Sequence, residues 1–135
     1  MIEIDQALLD KHLLGAALGP ADTWSTWLTT LRAAFALPLD RKDKITFAKI
    51  SGDRTIPSKP CRELWAIAGR GSGKSRTAAA VSVYTACFLD RKPKLAPGET
   101  GFVLTLSPSL DQSKIIFRLL LRLLKREPHP APTGH

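Results

Sequence analysis

Cysteine is scarce in this chain: only Cys61 and Cys87 occur, isolated and without metal-ligand spacing. In a reducing compartment they read as buried or free thiols, and neither is a ligand candidate. His129 and His135 lie in a Pro-rich tail with no partner spacing, which argues against a metal role there too. No long apolar run is present, since Arg118 and Arg122 interrupt the longest one, Ile115 to Leu124, and the N-terminus lacks a basic leader region. On this reading neither a membrane span nor a secretory leader is expected, and a cytoplasmic chain is. Internal repeats are missing, and 135 residues suffice for one core of ordinary size. Acidic residues are few: 12 Asp and Glu against 20 Lys and Arg leave a net charge of +8. This balance points to an anionic partner, of which nucleic acid is the usual one.

What is present is a glycine-rich loop. Residues 68–75 read Ala-Gly-Arg-Gly-Ser-Gly-Lys-Ser. Gly73, Lys74 and Ser75 satisfy the second half of the phosphate-loop pattern, while Ala68 stands where its first Gly belongs. Gly69, Gly71 and Gly73 free the backbone to turn N–H groups toward phosphate oxygens, and the Gly at 69 stands one place from the missing one. Lys74 reaches the β- and γ-phosphates, Ser75 offers its hydroxyl to Mg²⁺, and Arg70 adds a second cation. The apolar run Leu64 to Ala68 suits a buried parallel strand, and Thr77 to Leu89, without Gly or Pro, suits a helix.

Upstream, a helix is expected from Asp5 through Leu9, Leu13 and Leu14 to a stop at Gly19-Pro20. Asp22 starts another, with Trp24, Trp27, Leu28, Leu31 and Phe35 on one face, a pattern better suited to packing than to base stacking. Asp40 caps a shorter helix across Lys44 to Ile50 that stops at Gly52. Residues 53 to 62, with Pro57 and Pro60, connect to a strand at 63–68. After the helix at 73–89 and a loop at 90–101, Phe102 to Leu106 reads as a second strand. The expected fold is thus α/β: a βαβ unit of an incomplete P-loop NTPase-type parallel sheet, behind an N-terminal helical region at 1–56. The core spans 57–127, with a last helix from Ser109 or Asp111 to about Glu127, and 128–135 form a disordered tail. On that last helix Lys114, Arg118, Arg122 and Lys125 fall in a cationic stripe, either a solvated face or a contact to DNA phosphates.

The chain resembles the ATPase domain of phage terminase large subunits, the motors that pump double-stranded DNA into procapsids. The loop at 68–75 with Glu63-Leu64-Trp65 before it carries the likeness most specifically. Trp24 to Leu28, Phe35 to Leu39, and Leu104 to Pro108 with Gln112, Ile116 and Phe117 are similar to neighbouring stretches of that domain. The resemblance implies that Gly69, Arg70, Gly71, Ser72, Gly73, Lys74 and Ser75 bind ATP, with Mg²⁺ at Ser75 and with Lys74 and Arg70 as the residues acting on the phosphates. It also implies double-stranded DNA, a portal protein and a small terminase subunit as partners, a homo-oligomeric ring in the full-length form, no membrane, and the cytoplasm of a bacterial host.

Hydrolysis further requires a strand-end Asp and a carboxylate that positions water. Beyond the loop the acids are Asp90, Glu99, Asp111 and Glu127, and none makes the adjacent Asp-Glu pair of that family. The expectation is therefore an N-terminal fragment that binds ATP, with its turnover undecided. The alternatives are an inactive prophage remnant serving as a DNA-binding or interaction module, and a piece of another P-loop NTPase.

Overall fold

The computed structural model of the chain describes residues 1–125. Six α-helices and two short 3₁₀ turns make up its regular structure. The helix expected from Asp5 to Leu18 is two helices, α1 (Ile4–Leu9) and α2 (Gly15–Leu18). Gln6 accepts the Glu3 N–H at 3.1 Å to start α1. Gly15 then lets the chain fold back, because a Cβ there would lie 2.8 Å from the Leu9 carbonyl oxygen. Helix α3 (Ser25–Ala34) follows a 3₁₀ turn at Ala21–Trp24, so Asp22 sits inside that turn and caps no helix. Trp24, Leu28 and Leu31 are buried, and Trp27 and Phe35 are half-buried against the same core, as a packing stripe requires.

Helix α4 (Arg41–Ser51) starts three residues before its expected first turn. The Asp40 carboxylate accepts the Asp43 N–H at 2.7 Å, and Gly52 ends the helix in a left-handed conformation at φ 66°. Helix α5 (Lys74–Cys87) is the central element, with Ala79, Ala80, Val83 and Tyr84 buried. It packs chiefly against α6 (Leu110–Lys125) and also meets α1. The Tyr84 ring lies edge-on to Phe35, 5.5 Å between centroids, and its hydroxyl donates to the Ile2 carbonyl at 2.9 Å.

The expected parallel sheet is not there. Among the described residues no strand forms, and neither 63–68 nor 102–106 has regular structure. The chain is helical, so the α/β reading and its βαβ unit are corrected. A helix satisfies its backbone groups within itself, whereas a strand needs a neighbour to accept and donate. Neither segment has such a neighbour here, and their apolar side chains stand in solvent, with Trp65 87% and Phe102 82% exposed. Helix α5 buries its apolar face on other helices instead. A groove of about 550 Å³ remains open between α5 and α6, lined in part by Val83, Ala86, Val103, Phe117 and Leu124. The expected helix end near Glu127 and the tail at 128–135 lie outside the described residues.

Candidate phosphate-binding site

The loop is built from one hydrogen-bonded turn and two glycines of positive φ. The Ser72 N–H donates to the Gly69 carbonyl at 3.3 Å, which closes a turn over 69–72. Gly71 and Gly73 then take φ of 75° and 80°, a region that costs glycine nothing and strains other residues. Gly73 is the N-cap of α5 and, having no side chain, supplies no capping oxygen. The first backbone donation into the helix is from Thr77 to the Gly73 carbonyl at 2.9 Å. Among the described residues, therefore, no acceptor takes the N–H groups of Gly73, Lys74 and Ser75. These are the orphan donors of a helix start, carrying the positive end of a 14-residue helix dipole.

Lys74 folds back across the loop, and its Nζ donates to the Gly69 carbonyl at 3.1 Å. The ammonium is thus held over the loop mouth by a single solvent-exposed contact, which a phosphate, as a charged acceptor, can replace. Arg70 is exposed and makes no hydrogen bond or ion pair among the described residues. Ser75 is half-buried in the first turn of α5. A Cβ added to Gly69 or Gly71 would meet nothing within 4 Å, so the loop stays open on that side. Free N–H groups, a lysine, an arginine and a hydroxyl at the entrance of one helix form a donor set that suits phosphate oxygens. Ser75 adds a hard oxygen of the kind that Mg²⁺ accepts.

All seven residues singled out in the loop, Gly69 to Ser75, are thus brought together. The cationic set on α6 forms a separate face. Lys114, Arg118 and Lys125 are exposed and Arg122 is half-buried, and Lys114 makes a loose contact to Asp111 at 3.8 Å. The acids beyond the loop serve local turns: Asp90 accepts the Lys92 N–H at 3.1 Å, and Glu99 accepts the Ala96 N–H at 2.8 Å. Groups of three or more potential metal-ligating side chains do not occur among the described residues. No described helix is long and apolar enough to cross a membrane.

No family model, curated protein or solved structure matches this chain.

Two residues that sequence reasoning missed complete the site. The Trp27 indole Nε1–H donates to the Ser72 carbonyl at 2.6 Å, and Arg76 Nη1 donates to the Leu18 carbonyl at 2.9 Å. Trp27 counted only as part of an apolar stripe, where its N–H gives no signal of a partner 45 residues away. Nothing around Arg76 sets it apart from the other cations of the chain.

Proposed function

We propose that residues 69–75 bind the phosphates of ATP with Mg²⁺, and that the chain is the ATP-binding part of a terminase-type DNA-packaging ATPase. The observation that carries this reading is the set of free N–H groups at Gly73, Lys74 and Ser75 beneath the Lys74 ammonium, held by two positive-φ glycines. The phosphate-binding part of this reading rests on the loop and the start of α5. The terminase part rests on the sequence likeness alone, since no strand forms beside the loop among the described residues. On binding, Lys74 exchanges the Gly69 carbonyl for phosphate oxygens, and Arg70 supplies a second positive charge from the exposed side of the loop. Magnesium, where bound, offsets the charge of the β- and γ-phosphates, and the Ser75 hydroxyl is the group of this chain that would face it. The role assigned to the chain is binding; the acids described beyond the loop, Asp90, Glu99 and Asp111, make local contacts and none is bonded to the loop. The terminase likeness of the residues around the loop supports double-stranded DNA as the polymer, portal protein and small subunit as partners, and a bacterial cytoplasm as the setting.

A second reading is favoured by the exposed cations of α6, Lys114, Arg118 and Lys125, which lie along one face at helical spacing. In it the chain contacts DNA phosphates through α6 whether or not the loop is filled. The deciding experiment measures affinity for Mg-ATP in the wild-type chain and in Lys74→Ala. A tenfold or greater loss in the variant is expected, since a charge-assisted contact to phosphate is removed. Equal affinities would sink the nucleotide reading, and salt-dependent DNA binding unchanged by the variant would leave the second one standing.

A further inference from the structure

Resting on the nucleotide reading, we propose that Trp27 is a positioning residue of the phosphate loop: its indole N–H sets the plane of the Ser72–Gly73 peptide and so aims the Gly73 N–H at the ligand. Among the described residues no peptide bond is cis. In a trans peptide the carbonyl and the following N–H point in opposite directions. With the Ser72 carbonyl drawn 2.6 Å from the Trp27 indole nitrogen, the Gly73 N–H faces away from α3. Gly73, at φ 80°, is also the position where the chain turns into α5, so rotation of this one peptide would re-aim the first of the helix's free donors. Without an anchor a glycine-flanked peptide rotates readily, because glycine accepts either sign of φ at little cost.

The anchor is firm because Trp27 packs on the core formed by Trp24, Leu28 and Leu31 of its own region. A second tether acts at the start of α5, where Arg76, in its first turn, donates to the Leu18 carbonyl. The Cβ that Gly73 lacks would lie 3.8 Å from the Trp27 indole nitrogen and 3.6 Å from Arg76 Nη2, so both tethers converge on that residue. The N-terminal helices therefore do more than cover α5. They hold the donor geometry of a loop that is distant from them in the chain.

Trp27→Phe keeps the ring and removes only the N–H. In the full chain this variant is expected to bind Mg-ATP about tenfold more weakly, to shift the Gly73 amide resonance and speed its hydrogen exchange, and to melt within a few degrees of wild type. In the wild-type chain the Trp27 indole N–H should exchange more slowly than that of exposed Trp65. Wild-type affinity together with an unmoved Gly73 amide in Trp27→Phe would overturn the inference, as would an indole N–H that exchanges as fast as that of Trp65. Lys74→Ala, measured alongside, separates the two ideas. If the wild-type chain has no ATP affinity the nucleotide reading fails, and an unmoved Gly73 amide in Trp27→Phe then overturns the Trp27 assignment on its own.

Discussion

At Asp43 a nearly buried carboxylate is held by two neighbours from α3. Thr29 donates to Oδ1 at 2.6 Å and Arg32 Nη1 to Oδ2 at 3.1 Å, while Arg32 Nε reaches Asp5 at 3.0 Å. One arginine thus joins α1, α3 and α4 through two acids. Removing the carboxylate leaves a buried hydroxyl and half of a guanidinium without acceptors. Asp43→Ala is expected to destabilise the fold by about 3 kcal/mol, measured by urea unfolding, against about 1 kcal/mol for the cap variant Asp40→Ala. Equal losses would show that the network contributes nothing beyond the cap. The cap itself was legible in the sequence, because an Asp before a polar first turn and a Gly after the last one satisfy groups a few residues away. Asp43 was not, since its partners Thr29 and Arg32 belong to another helix and only packing brings them within reach.

At the scale of elements the helices were easier to anticipate than the rest. The last helix follows its Ile, Phe and Leu spacing, and α5 follows an Ala-rich stretch free of Gly and Pro. Segments 63–68 and 102–106 have the composition of buried strands, but composition does not provide the second strand that would accept their hydrogen bonds. They remain unpaired among the described residues, with Ile67 fully exposed and Leu104 81% exposed. Apolar segments of this kind are adhesive. The chain is therefore expected to associate as its concentration rises, and Ile67→Lys combined with Leu104→Lys should lower that association in sedimentation experiments. Stability should change by no more than about 0.5 kcal/mol per substitution, because neither side chain is buried. A wild-type chain that stays monomeric at high concentration would refute this.

At the scale of the whole molecule, hydrogen bonds from Trp27 to Ser72, from Arg76 to Leu18 and from Tyr84 to Ile2 join the N-terminal region to the loop and α5. Burial, with the charges of Glu3 and Asp5 nearby, pushes the Tyr84 phenol above its usual value of 10.0. A phenol whose folded pKa is raised holds its proton more tightly in the native state. Its contribution is complete below about pH 10, where the unfolded chain titrates, and is lost as pH rises through the higher folded value. Melting temperature should therefore fall in alkali above about pH 10, and fall less steeply in Tyr84→Phe, which has no proton to lose. Parallel curves for the two proteins would contradict this. The amino-acid sequence by itself determined the loop, its three glycines, its lysine and serine, the helix that follows and the cap of α4, because each depends on residues adjacent in the chain. Only the tertiary structure decided that no sheet forms among the described residues to support that helix, and that Trp27 bonds the loop at Ser72 while Arg76 ties the first turn of α5 to Leu18. Those outcomes depend on which distant backbone groups find partners, and local pattern carries no record of that.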